Sequence, residues 1–247
     1  MTAAHAAIIF VAGLAAGTIN TIVGSGSLIT FPTLLALGYP PVLANVSNNI
    51  GLVPGGASGA YGYRRELAGQ GPRLQRLVPA SLAGGIIGAV LLLVLPGSVF
   101  KRVVIVLIAV ALVLVVLEPR LGRRARPAGA PARISPGLVA AVFATGIYGG
   151  YFGAAQGIIL IALLAIFVAD DLQRLNGAKN VLAVCVNGVA AIVFVLATRV
   201  DWNVAALIAA GSVIGGQVGA RLGRRLDPRA LRAAIVAVGL GAIARLV

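Results

Sequence analysis

Two pairs of asparagines, Asn45 with Asn49 and Asn176 with Asn180, stand four residues apart inside long apolar stretches. That spacing puts both side chains of a pair on one helix face. An amide offers donors and an acceptor without charge. Two such faces could bind a small polar solute, or they could glue helices together and cap interrupted ones, and the residue types allow both. Ser47 and Asn48 adjoin the first pair, and Lys179, one of only two lysines in the chain, adjoins the second. Facing inward, Lys179 would neutralise an anion or exchange a proton; near a helix end it would snorkel to the interface.

The other chemically suggestive feature is a pair of interruptions, Gly24-Ser25-Gly26-Ser27 and Gly153-Ala154-Ala155-Gln156-Gly157. Non-helical backbone at membrane depth is tolerated only when it is buried in protein or lines a cavity. A helix restarting after such a break leaves free N–H groups at its new N-terminus, where Ser27 is placed to act as the N-cap. Those donors, with the positive end of the helix dipole, suit an anion. The candidate substrate-binding residues are therefore Ser25, Gly26, Ser27, Asn45, Asn49, Gln156, Gly157, Asn176, Lys179 and Asn180. The spacings Gly13/Gly17 and Gly84/Gly88 read instead as close helix packing. Asn20, Asn187 and Ser58 read as packing hydrogen bonds, His5 as solvated, and Trp202 as an interfacial anchor.

Positioning these residues requires a membrane domain. Of 247 residues, 60% are hydrophobic and 11% charged, with a mean hydropathy of +1.03. A soluble domain carries about 25% charged residues. Apolar runs cover 6–37, 42–63, 77–95, 99–117, 137–168, 172–197, 204–222 and 231–247, eight segments in one domain. The first is interrupted at Gly24–Ser27 and again at Pro32, the fifth around Gly157. The expected fold is all-α and integral to the cell (plasma or inner) membrane, multi-pass. The N-terminus lacks a basic n-region, so the first segment is expected to remain in the mature protein. The net charge of +14 resides almost wholly in Arg-rich turns between apolar runs, the pattern of membrane orientation rather than of a nucleic-acid face. Cys185 is the only cysteine, which excludes an intrachain disulfide. No cluster with metal-ligand or catalytic-triad spacing and no P-loop is present, so neither an enzyme nor a cofactor is expected.

The eight segments form two sets of four. Asn45-x-x-x-Asn49 and Asn176-x-x-x-Asn180 lie 131 positions apart, and so do Gly84-x-x-x-Gly88-Ala89 and Gly215-x-x-x-Gly219-Ala220. Leu95-Pro96 and Leu226-Asp227 keep the same offset. This divides the chain into a repeat over 1–117, a linker over 118–136 and a repeat over 137–247. Such duplication is a common plan of secondary transporters, whose site lies between the repeats. The basic turns are Arg64/Arg65/Arg73/Arg76, Arg120/Arg123/Arg124/Arg126/Arg133 and Arg221/Arg224/Arg225/Arg229/Arg232. If all eight segments crossed the bilayer, the third turn would face away from the other two. If segments 1 and 5 enter and return as broken hairpins, all three share one face, leaving Lys101/Arg102 and Arg199 opposite. Each half then has three crossings, the halves are inverted, and both termini lie outside the cytoplasm.

Several phrases carry a family resemblance: Gly13-Leu14-Ala15-Ala16-Gly17, Gly24-Ser25-Gly26, Phe31-Pro32, Ala44-Asn45-Val46-Ser47-Asn48-Asn49, Asn176-Gly177-Ala178-Lys179-Asn180, Val200-Asp201-Trp202 and Gly215-Gly216-Gln217-Val218-Gly219-Ala220. In order and spacing, over almost the whole chain, they resemble the TauE/SafE sulfite exporter family of membrane permeases. Where that family often has three glycines at each break, Ser25 and Ser27 flank Gly26 here, and Ala155-Gln156 precede Gly157. The second proline that often follows the second break is absent from 159–164. The resemblance implies a transporter of small sulfur oxyanions such as sulfite or organosulfonates. The expected function is a secondary transporter, an exporter working by alternating access on a small anion. With no nucleotide-binding motif, the drive would be a coupling ion (proton or sodium) or the membrane potential, worth about 2.3 kcal/mol per charge per 100 mV. The partners are the anion, the lipid bilayer and, left open, further copies of the chain. The alternative is a non-transporting membrane subunit or assembly factor that binds a partner protein, with breaks and asparagines as packing devices.

Overall fold

The computed structural model describes residues 1–96, 100, 103, 105, 106, 108, 109, 113, 134–168 and 170–222. Eight helices follow one another among the described residues: α1 (Ala3–Ile22), α2 (Ser27–Ala36), α3 (Pro41–Gly62), α4 (Gly71–Val94), α5 (Pro136–Tyr151), α6 (Gln156–Phe167), α7 (Leu172–Ala197) and α8 (Trp202–Leu222). The starts follow local chemistry. Thr2 caps α1, Ser135 caps α5 ahead of Pro136, and Asp171 caps α7 by accepting from the Gln173 and Arg174 amides. Helices α1, α4, α7 and α8 are long and apolar enough to cross a membrane, while α2 and α6 are short apolar pieces of 10 and 12 residues. Pro32 does not interrupt its segment; it sits within α2. Most of segment 99–117, the linker from 118 to 133, segment 231–247, Leu226-Asp227, Lys101/Arg102 and the arginines beyond Arg221 lie outside the described residues.

The helices interleave across the two sets. Helix α1 packs on α8, and α5 packs on α4, so the first helix of each set lies against the third segment of the other. Glycines permit both contacts. Gly13 meets the Ile208 backbone and Gly17 that of Ser212, while Gly84 meets Phe143 and Gly88 meets Ile147. These glycines are packing residues, as their spacing indicated. Both pairs run parallel. Helix α3 also lies parallel to α8, with Gly51 on Ile208, Gly55 on Ser212 and Gly62 on Ala220. It runs antiparallel to α7: Asn49 reaches Asn187 near one end, and Gly177 faces Tyr63 near the other.

Helix α2 doubles back along α1. Gly26 presses against the Ala16 carbonyl, and beyond α2 the Tyr39 hydroxyl lies 4.0 Å from Met1 Sδ. Helix α6 likewise returns along α5, its last residue Phe167 standing over Gly137. At one end of the bundle the turn after α3 packs on the start of α7. Arg73 and Arg174 both pair with Asp170, at 2.8 and 2.9 Å, and Gln70 donates to the Arg174 carbonyl. The Gly62–Ala220 contact brings Arg221 to the same end. Arg199 lies at the other, where the Asp201 amide bonds Ser47.

A Cβ at Gly88 has no room beside the Ile147 carbonyl, whereas one at Gly188 meets nothing. Gly88→Val should lower stability by about 1–3 kcal/mol through overpacking. Gly188→Ala should raise it by up to about 1 kcal/mol through helix propensity. Thermal unfolding in detergent reads both.

At Asp170, burial raises the pKa, but hydrogen bonds from Arg73 and the Asp171 amide, with the charges of Arg73 and Arg174, outweigh it and hold the carboxyl below its ordinary range. A lowered folded pKa adds stability that is present above the unfolded pKa and lost as pH falls through the folded one. Asp170→Asn should therefore destabilise by about 1–2 kcal/mol at neutral pH. The gap between variant and wild type should close as pH is taken below about 4.

Candidate functional site

The two breaks touch. The Gly157 amide, at the start of α6, donates to the Gly24 carbonyl at 3.0 Å. A Cβ on either glycine would run into the other's backbone. Gly24 has φ +90°, and Ala155, its counterpart 131 positions on, has φ +58°. Each break therefore turns through a left-handed residue at the same place, readily for glycine and with strain for alanine. Tyr148 from α5 steadies the second turn by donating to the Ala154 carbonyl.

The residues just after the turns are also counterparts. Ser25 and Gln156 are 131 positions apart, 1% and 2% exposed, and their Oγ and Nε2 atoms are buried without a hydrogen-bond partner. The Gln156 amide packs over Gly149, where any side chain would collide with it. Neither α2 nor α6 has a side-chain cap at its N-terminus. The expectation for Ser27 is corrected here. Gly26 holds the cap position, Ser27 is the first helical residue, and its hydroxyl accepts from Asn48 Nδ2 at 3.3 Å. Asn48 Oδ1 in turn accepts from Thr30, which ties the return limb to α3. Gly26 serves α2 by its lack of a side chain, since a Cβ would meet the Ala16 carbonyl and Asn20.

The asparagine pairs clasp the ends of the preceding helices. The last carbonyls of α1 have no partner within the helix. Helix α7 supplies one with residues at i, i+3 and i+4: Asn176 Nδ2, Lys179 Nζ and Asn180 Nδ2 all donate to the Thr21 carbonyl, at 3.3, 3.2 and 3.3 Å. Lys179 Nζ also donates to the Asn20 carbonyl at 3.1 Å. Lys179 is fully buried, so it does not snorkel. Asn45 Nδ2 does the matching service for α5, donating to the Tyr151 carbonyl at 3.1 Å. Asn49 Nδ2 reaches Asn187 Oδ1 at 3.4 Å. Asn49 Oδ1, Asn176 Oδ1 and Thr21 Oγ1 remain buried without partners.

All ten candidates thus lie at the breaks or on the helices that hold them. Sequence reasoning missed Thr21, whose carbonyl is the hub of the clasp, and the Asn20 carbonyl beside it, while Asn187 makes a packing hydrogen bond as expected. The available signal was a pair of polar residues in the last turn before Gly24. Ser58 is a packing residue as expected, donating to the Val213 carbonyl. Trp202 is 59% exposed at the start of α8, as an interfacial anchor would be. A surface groove of about 530 Å³ between the starts of α4 and α5, lined by Arg76, Ala80, Val139 and Phe143 among others, contains none of the candidates.

The profile of the family described as "Sulfite exporter TauE/SafE" matches residues 9–246. A "Probable membrane transporter protein" of Haemophilus influenzae is 27% identical over 212 residues, 85% of this chain and 81% of that protein. A "Probable membrane transporter protein ORF9" of Sinorhizobium is 28% identical, covering 97% and 91%. A "Probable membrane transporter protein YfcA" of Escherichia coli K12 is 27% identical, covering 94% and 85%. No solved structure gives a significant match. With phrases, helices and profile in agreement over nearly its whole length, this chain is a multi-pass membrane protein and belongs to the TauE/SafE sulfite exporter family.

Proposed function

We propose that the chain is a secondary transporter that exports a small anion, sulfite or an organosulfonate, by alternating access of two inverted halves. The observation that carries this reading is the meeting of the breaks: two uncapped helix starts adjoin it, with Ser25 Oγ and Gln156 Nε2 buried nearby as unpartnered donors. Donors left unsatisfied in a low-dielectric interior cost about 1–3 kcal/mol each. An oxyanion between them would recover that energy, and the positive ends of α2 and α6 would favour its charge. The buried oxygens of Asn49 and Asn176 suit a hydroxyl or water accompanying the anion. Inversion of the halves is supported by helix directions, since α3 and its counterpart α7 run antiparallel while α1 lies parallel to α8 and α4 to α5.

The alternative, a non-transporting partner-binding subunit, draws support from the clasp, because Asn176, Lys179 and Asn180 all bond a helix end. The two readings separate on Ser25 and Gln156. In proteoliposomes loaded with sulfite, Ser25→Ala with Gln156→Leu should cut efflux at least about tenfold, the loss of one to two hydrogen bonds to a charged ligand, with thermal stability kept or raised. Unchanged flux would sink the assigned site, and no sulfite or sulfonate flux from the wild type would favour the subunit reading.

Orientation has its own check. In a Cys185→Ser background, a cysteine at position 2 should react with an impermeant thiol reagent from outside intact cells. One in place of Arg65, exposed in the basic turn, should react only after permeabilisation.

A further inference from the structure

We propose that the Lys179 ammonium acts as a tethered monovalent cation at the C-terminal end of α1. It would fill the place a sodium ion takes at an interrupted helix, so that transport by this chain does not draw on sodium. The transport clause rests on the reading above; the cation clause rests on the geometry alone.

An α-helix that stops inside a membrane ends in unpaired carbonyls and about half a negative charge. In transporters built from broken helices, such carbonyl ends are where a coupling cation is coordinated. Helix α1 stops in this way at Ile22, and the Val23 and Gly24 amides both fold back onto the Ile19 carbonyl. The next two carbonyls, Asn20 and Thr21, point at Lys179 Nζ, at 3.1 and 3.2 Å. Thr21 also carries a buried hydroxyl without a hydrogen-bond partner, a third oxygen in the same turn. Two carbonyl oxygens facing one positive centre are part of the oxygen donor set that a hard cation takes. Here a side chain supplies that centre. Lys179 is the only charged side chain among the described buried residues, and it is 0% exposed.

The other half shows that the cation is an addition, not a requirement of the fold. The counterpart of Lys179 is Asn48, 131 positions earlier, and Asn48 bonds the Ser27 and Thr30 hydroxyls of its own half. The end of α5 is clasped by the neutral Asn45. Among the described residues, only the α1 end receives a positive charge.

Thermal unfolding in detergent tests the cation clause without any flux. Wild-type Tm should be the same in sodium, potassium or N-methylglucamine chloride at equal ionic strength, and a sodium-specific rise would overturn the proposal. Lys179→Met, of similar length but neutral, should lower Tm by about 4–8 °C; a Tm equal to wild type would show that no charge is needed. Lys179→Ala should fall likewise and recover at least half of the loss in about 0.2 M methylammonium or sodium chloride relative to N-methylglucamine chloride, by mass action. No recovery by any small cation would overturn the tethered-cation assignment. If the variants do not fold, the cation series on the wild type still decides. In proteoliposomes, sulfite efflux should continue at the same rate when sodium is replaced by N-methylglucamine on both sides, and sodium dependence would overturn the transport clause. Absence of all flux would instead count against the anion reading, with the thermal data left to judge the cation.

Discussion

A helix broken inside a membrane has to hand its unpaired backbone groups to another part of the protein, because hydrocarbon offers no water to take them. Most of this architecture answers that one demand. The Thr21 carbonyl at the end of α1 is taken by three donors from α7, and the Tyr151 carbonyl at the end of α5 is taken by Asn45 from α3. In each case the donor comes from the other set of helices. Neither half can complete its own break, so the two halves must interleave. The interleaving of α1 on α8 and α5 on α4 then requires backbones to approach within the reach of a single methyl group, which is why glycines line those contacts.

The same demand explains how much of this could be read in the residues beforehand. The breaks were visible because Gly-Ser-Gly-Ser is a poor helix inside an apolar run, and Asn45/Asn49 and Asn176/Asn180 were visible because polar side chains there must face protein. What those asparagines touch was not visible. Whether an amide meets a solute or a carbonyl depends on where another chain segment ends, and Thr21 gives no sign in its type that its backbone oxygen is a hub. Ser27 misled for a local reason. A serine at the head of an apolar helix is the ordinary cap signal, but the left-handed turn at Gly24 moves the helix start so that Gly26 takes the cap position and Ser27 the first turn. The Arg-rich turns could be judged only in part, because the arginines from 120 to 133 and beyond Arg221 lie outside the described residues. Arg73 and Arg221 do lie at one end of the bundle. The flanking segments 99–117 and 231–247 lie outside the described residues.

Holding a helix end and binding an anion make opposite demands on the same polar groups. A clasp is strongest when every donor is engaged, whereas a site needs donors still open to a ligand. On the proposed function, the two tasks would fall to different atoms only a few residues apart. Amide nitrogens of Asn45, Asn176 and Asn180 and the Lys179 ammonium take the carbonyl ends, while Ser25 Oγ and Gln156 Nε2, at the helix starts, stay open. Such a division would follow helix polarity, with donors at the C-terminal ends for structure and positive N-terminal ends for a negative guest.

That division also bears on motion. On the alternating-access reading, the halves must shift at the contact between Gly24 and Gly157, and the backbone bond identified there is a single one. A neutral hydrogen bond of this kind is worth about 0.5–1.5 kcal/mol net. The clasp on α1 uses four bonds, two of them from the Lys179 ammonium, and the clasp on α5 uses one; each joins a helix end of one half to a helix face of the other. On that reading a movement that separates the two breaks gives up this one bond, while α1 stays packed on α8 and α5 on α4. The anion would then lie between two bodies that each carry one break.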